Sequence, residues 1–343
     1  MIETSDKVKF NFYNMTTNAI LKKIRYFRLA RHAFLAALKV INIQPGDKIV
    51  VPAFVCRDLL APIHKIGATP FFYEVDSDLK PISLPEASNI RAVLAVNYFG
   101  FPQDLSPFYA YCERNNASLI EDNAHGFLSC DEAGVALGTR GDLGIFSIRK
   151  TFPLPDGAML IVNKSGLQKN IEPQLTCSER SLGLSFFGKR VLSGLQRKTN
   201  IPFFTIGTSI ARSIRLWLTG YEITPLLPEN EFIMPENPAP HCYSISKLLK
   251  LDLVHEINRR RSLFIVFSDL FATLDVKPVF GNLPMGTVPY GYPFYADERL
   301  AKIAVGLARK QGFDCIHWPD LPETVVPRAP WHYRSLWMVN FTC

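Results

Sequence analysis

Two short stretches concentrate the reactive side chains of this 343-residue sequence. "LIEDNAHG", residues 119–126, ends an apolar run with Glu121 and Asp122 and follows them with His125. "IFSIRKTFPLPDGAMLIVN", residues 145–163, ends another run with Ser147, Arg149 and Lys150, turns through two prolines and Asp-Gly, and starts a new apolar run. A carboxylate, an imidazole and a primary amine at neighbouring strand ends can share acid–base work. An amine drawn out of water has its pKa lowered, which favours the neutral form that condenses with a carbonyl. Upstream, Arg31 and His32 open a helical stretch, and a helix N-terminus attracts anions. "AVNYFG", residues 95–100, ends a further apolar run with Asn97 and Tyr98.

Taken singly, each residue has a plainer use. Asp122 can cap a helix, His125 can be a satisfied structural histidine, Lys150 a solvated strand end and Arg31 a surface charge. Together they offer an amine, a carboxylate and an anion site, which are the needs of pyridoxal 5'-phosphate (PLP): an amine for its aldehyde, a carboxylate for its pyridinium nitrogen and a cradle for its phosphate. Spacing alone shows that the parts are available and does not identify the cofactor.

The elements that must position these groups alternate. Helical spacing predicts helices over 31–43, through Phe34, Ala37, Leu38 and Ile41, over 56–66 with Gly67 as its stop, and over 104–115. Apolar runs predict strands in "KIVVPAF", "TPFFYEV", "IRAVLAVNYFG", "ASLIED", "DLGIFSI" and "AMLIVN". Runs without polar alternation suit strands covered on both faces. The expectation is an α/β fold, a mixed and mostly parallel sheet covered by helices. In such sheets ligands bind beyond the carboxyl ends of the strands. Residues 165–240 are less periodic, and 228–241 resembles a linker or arm. From 243 on, one long helix is expected, then short strands, a helix over 297–311 and a smaller C-terminal α+β lobe. The division is placed at 1–235 and 236–343, with the core of the large part at 25–165.

The composition, 48% hydrophobic and 20% charged, is that of a globular chain. No apolar run approaches the roughly 18 residues of a membrane span, and the first residues lack a signal-peptide core. A cytoplasmic protein with no membrane span is the expectation. Seven cysteines without a CxxC pair argue against a disulfide framework or a zinc knuckle, so reduced thiols and no metal are expected. The net charge is +7. Part of it lies in 180–215, with Arg180, Lys189, Arg190, Arg197, Lys198, Arg212 and Arg215. That stretch suits a basic face or an anionic substrate. No nucleic-acid module accompanies it.

The succession "QPGDKIVVPAF", "KIGATPFFYEVD", "VNYFGFPQD", "IEDNAHG", "LGTRGDLGIFSI" and "DGAMLIVN" resembles the DegT/StrS-type sugar aminotransferases, PLP enzymes of the fold-type-I class. The resemblance implies that Asp122 pairs with the pyridinium nitrogen, that His125 lies against the ring and that Ser147 meets the phosphate. Arg31 and His32 stand where the family has a Gly-Thr-like phosphate turn. Cys56 stands near the position of a stacking aromatic, for which Phe54 or Tyr98 is the substitute. The family lysine follows its serine by five residues, a position held here by Phe152, so a two-residue gap is needed to make Lys150 the Schiff-base lysine. "FS-x-RK-x-x-P-x-PDG" resembles a divergent branch of the same family.

The activity implied is transfer of an amino group from glutamate or glutamine to a nucleotide-linked keto-sugar, in surface-polysaccharide or secondary-metabolite sugar biosynthesis, by a homodimer. Two alternatives stay open: a catalytically inactive binding or scaffold homologue, and a PLP-dependent sugar dehydratase. Trp318, Arg328 and His332, in an aromatic-rich C-terminal region, are candidates for the sugar site.

Overall fold

The computed structural model describes residues 23–182, 226–248 and 250–342, together with Phe186, Gly188, Gly207, Trp217 and Leu218. The described elements begin with strand β1 (Ile24–Phe27), helix α1 (Ala30–Val40), β2 (Lys48–Pro52), α2 (Ala61–Lys65) and β3 (Thr69–Tyr73). It continues through β4 (Ile90–Val96), α3 (Ser106–Asn115), β5 (Ser118–Asn123), β6 (Leu143–Phe146), the single turn α4 (Ile148–Thr151) and β7 (Ala158–Val162). These strands form one sheet in the order β1-β7-β6-β5-β4-β2-β3. Strands β2 to β6 pair in parallel, and β6, β7 and β1 pair antiparallel. The mixed, mostly parallel sheet is the one expected. Its direction of winding reverses between β2 and β4, and that reversal opens a crevice at the carboxyl ends of the strands.

The apolar runs are buried for the reason expected of a covered sheet: every residue of β6 and β7 is buried. Phe34, Ala37, Leu38 and Ile41 all pack into the core. Helix α2 is shorter than its spacing predicted, because residues 57–59 form a 3-10 turn instead. Pro62 fits the first turn of α2, where its missing N–H costs no hydrogen bond. Gly67 follows the end of α2 at φ +79°, as its predicted stop requires. Strand β1 went unforeseen. Only its ends, Ile24 and Phe27, are buried, Arg25 interrupts it, and four residues are too short for an apolar-run signal; pairing with β7 makes it a strand.

The C-terminal part contributes α5 (Cys242–Leu248), α6 (Leu253–Phe271), β8 (Lys277–Pro278), β9 (Gly291–Tyr295), α7 (Glu298–Lys310), β10 (Asp314–His317), α8 (Trp331–Arg334) and β11 (Leu336–Asn340). The smaller sheet is antiparallel, in the order β10-β11-β9-β8. The single long helix expected from 243 is two helices. The Asp252 side chain accepts the His255 N–H at 3.0 Å and so caps a new start for α6. One apolar core runs from Phe27 to Phe341 and joins the two sheets. A second cluster gathers Phe127, Phe146, Phe152 and Ile257.

The cysteine expectation is corrected at one pair. Cys177 and Cys242 form a disulfide, with Cα atoms 4.9 Å apart. The Ser178 N–H donates to Pro240 O and the Cys242 N–H to Ser178 O, so backbone pairing brings the thiols together. Cys56, Cys112, Cys130 and Cys315 are thiols. Among the described residues, no helix is long and apolar enough to cross a membrane.

Candidate active site

Strand β5 sorts its two acids by alternation. Glu121 is fully buried and forms an ion pair with Arg140 at 2.6 Å, and Asn97 Nδ2 donates to it at 2.8 Å. Asp122 instead lines a cavity of about 250 Å³ at the strand ends, with Arg31, Cys56, His125, Ser147 and Lys150 among its walls. Asp122 Oδ1 accepts the Ala124 N–H at 2.9 Å. Burial pushes the Asp122 carboxyl above the usual range, while the Ala124 N–H and Lys150 pull it back.

The turn after β5 is built by Asn123, whose amide donates to Gly126 O and Leu137 O at 2.9 Å each. A Cβ on Gly126 would collide with the Asn123 side chain, so glycine is required where the turn closes. His125 is thereby aimed across the cavity. The Phe99 N–H donates to Nδ1 at 3.3 Å, and Nε2 faces Lys150 Nζ at 3.0 Å. The Tyr290 ring lies parallel to the imidazole, centroids 4.5 Å apart at 5°. Burial, reinforced by Lys150, holds His125 well below its ordinary pKa, so the ring is neutral at physiological pH.

Ser147 precedes the one-turn helix α4, and the Lys150 N–H donates to Ser147 O at 3.0 Å. This turn brings Lys150 to the cavity wall. Phe152, the ungapped alternative, is buried against Phe127, with ring centroids 6.2 Å apart. Ser147 is 1% exposed, and its Oγ has no hydrogen-bond partner among the described residues. After α4, the Asp-Gly turn is anchored by Asp156, which accepts from Ser244 Oγ at 2.6 Å and pairs with Arg180 at 2.8 Å.

Two expected site residues lie elsewhere. His32 points away from the cavity, with Nε2 on Pro235 O at 2.9 Å; its place in the helical turn directs it outward from the strand ends. Tyr98 donates its hydroxyl to Phe54 O at 2.7 Å and borders a neighbouring open cleft instead. Phe54 is buried beside Tyr98, Trp318 and Tyr333. Neither Phe54 nor Tyr98 therefore supplies an aromatic wall at Cys56. The cavity's aromatics are Phe34, Tyr290 and Trp318. Of the sugar-site candidates, Trp318 lines the cavity, Arg328 is exposed, and His332 is bound through Nε2 to Val75 O at 3.0 Å. Arg31 is ion-paired with Asp58, a partner the sequence did not suggest. Tyr290 was also missed, since no spacing links it to His125. In the basic stretch Arg180 is described; Lys189, Arg190, Arg197, Lys198, Arg212 and Arg215 lie outside the described residues.

Burial pushes the Cys56 thiol up to about 12. Treatment with iodoacetamide at pH 7 is expected to leave Cys56 unmodified in the folded chain and to alkylate it after denaturation, read by peptide mass spectrometry. Rapid alkylation of the native protein would overturn this picture of a protonated thiol.

The DegT/DnrJ/EryC1/StrS aminotransferase family matches residues 29–193, a span that holds Arg31, Cys56, Asp122, His125, Ser147 and Lys150. That match covers just under half of the chain. Over 147 residues it is 28% identical to a UDP-N-acetyl-3-dehydro-alpha-D-glucosamine 3-aminotransferase of Acidithiobacillus ferrooxidans, 40% of each chain. Over 138 residues it is 29% identical to a GDP-perosamine synthase of Escherichia coli O157:H7, 38% of each chain. The matched stretch thus spans about two fifths of these curated relatives. The crystal structure of the aminotransferase TlmJ from Streptoalloteichus hindustanus superposes with a TM-score of 0.62, covering 98% of this chain and 84% of that one at 18% identity. At that identity the likeness shows the fold, which is the fold expected for a DegT/DnrJ/EryC1/StrS domain.

Proposed function

We propose that this chain is a PLP-dependent aminotransferase that places an amino group on a nucleotide-linked keto-sugar. The observation that carries the reading is the meeting of amine, imidazole and carboxylate in one cavity, with Lys150 Nζ 3.0 Å from His125 Nε2 and Asp122 lining the same cavity. The residues fit the cofactor. Lys150 would hold its aldehyde, Asp122 its ring nitrogen and His125 the face of its ring. The buried, unpartnered Ser147 hydroxyl suits a phosphate oxygen. Arg31, oriented by Asp58, keeps further guanidinium N–H groups for the same anion.

When bound, PLP supplies an electron sink that makes a carbon–hydrogen bond beside the amine acidic. The protein does the rest. Lys150 Nζ would take the proton from the amine-bearing substrate carbon and return it two atoms along, beyond the nitrogen. The Asp122 carboxylate holds a proton at the ring nitrogen, using the lone pairs that Ala124 leaves open. A neutral His125 packs against the ring without adding a competing charge. Phe34, Val55, Ile145 and Trp318 exclude water from the site. Glutamate or glutamine is the proposed donor, a homodimer the acting form and the cytoplasm its location. All three follow from the resemblance described above.

Incubation with PLP followed by borohydride is expected to leave one phosphopyridoxyl group, on Lys150, located by peptide mass spectrometry. An adduct confined to another lysine would remove Lys150 from its role. No adduct at saturating PLP would favour the scaffold alternative. With the adduct in hand, a panel of nucleotide-linked keto-sugars and amino donors identifies the substrates, and release of a dehydrated sugar in place of an aminated one would favour the dehydratase.

A further inference from the structure

We propose that Arg260 is a positioning residue that sets Lys150 at the Nε2 edge of His125 and Tyr290 on the face of the same ring. This rests on the reading of Lys150 as the working amine. Arg260 lies on α6, outside the cavity, and is 1% exposed. Its fork is fully committed. Nε donates to Glu256 Oε1 at 2.6 Å; Nη1 donates to Tyr290 O at 2.9 Å and Pro289 O at 3.2 Å. Nη2 donates to Thr151 O at 2.8 Å and Lys150 O at 3.4 Å. One planar cation therefore ties the turn that carries Lys150 to the backbone of the residue whose ring stacks on His125.

The physical need is visible in α4. A helix of one turn leaves its last carbonyls without partners inside the helix. Arg260 satisfies them, and Thr342 Oγ1 adds a second donor to Lys150 O at 2.9 Å. A buried ion pair is a poor source of net stability, and an apolar pair fills such a volume with less desolvation. What an apolar pair cannot supply is a rigid fork that fixes two segments at one spacing. Arg261 provides the contrast. It sits on the same helix and donates to Pro284 O at 2.7 Å and Thr287 O at 2.6 Å, without touching Lys150 or Tyr290.

The test compares Arg260→Lys with Arg261→Lys, both keeping charge. Two readouts are taken on the full chain: the acetylation rate of Lys150 without cofactor, by peptide mass spectrometry at one pH, and the PLP concentration needed for half-maximal borohydride capture. Arg260→Lys is expected to change the acetylation rate several-fold and to raise the half-capture concentration about tenfold. Arg261→Lys is expected to match wild type within about twofold on both. Should Arg260→Lys not fold, the charge-neutral pair Glu256→Gln/Arg260→Met takes its place, compared at matched melting temperature. Equal Lys150 reactivity and equal capture in the Arg260 and Arg261 variants would overturn the proposal. A wild type that never captures PLP, with Lys150 acetylation still sensitive to Arg260, would overturn the function and leave the positioning role standing.

Discussion

Lys150→Ala is expected to lower transamination by about a thousandfold or more, the usual worth of a positioned acid–base group combined with covalent attachment. The loss should fall on kcat, because the residue's part is the proton transfer; Ser147, Arg31 and Asp122 still bind the cofactor. PLP retained by the variant should then be removable by dialysis and no longer captured by borohydride. A small primary amine such as ethylamine, diffusing into the space left by the side chain, is expected to restore part of the rate. The helical turn that carries residue 150 is held by backbone bonds to Arg260 and Thr342, so the melting temperature should change little. Full turnover in Lys150→Ala would refute the assignment. Loss of turnover with loss of folding would be resolved by the amine, which can rescue chemistry and not a fold.

Asp122→Asn is expected to separate stability from activity. The folded-state pKa of Asp122 is raised, with burial as the leading cause. A raised pKa means that the folded chain holds this proton more tightly than the unfolded chain. The stability it contributes is full below the unfolded value, about 3.9, and is lost as pH rises through the folded value. At pH 7 the buried charge is therefore a cost, and asparagine keeps an oxygen for the Ala124 N–H without that charge. The cofactor-free variant should melt roughly 1–3 °C higher than wild type at pH 7, and the gap should close toward pH 4. Turnover should fall by about two orders of magnitude or more, since a neutral amide cannot hold the ring nitrogen protonated. Such opposition between stability and activity is common where a site stores an unfavourable charge. A variant that is both less stable at pH 7 and fully active would contradict the role given to Asp122 on both counts.

The main sheet was legible because its strands are apolar runs and its helices keep a 3.6-residue spacing. Those signals are local, and burial on both faces leaves few other ways to read them. The split between α5 and α6 was hidden because apolar spacing continues through Asp252, and a single capping bond decides the break. Strand β1 and the Cys177–Cys242 disulfide depend on partners distant in sequence, which spacing does not encode.

The site divides in the same way. The types and order of Asp122, His125, Ser147 and Lys150 could be read directly, and so could the doubt over a two-residue gap. The fold decided which of Lys150 and Phe152 reaches the cavity, since a one-turn helix after Ser147 lifts the first to the wall and buries the second. It also decided that His32 and Tyr98 turn away, that Asp58 holds Arg31, and that Tyr290 and Arg260 complete the surroundings of His125. Residue identity is local information, whereas the direction of a side chain and its distant neighbours follow from how the strand ends and α6 pack together.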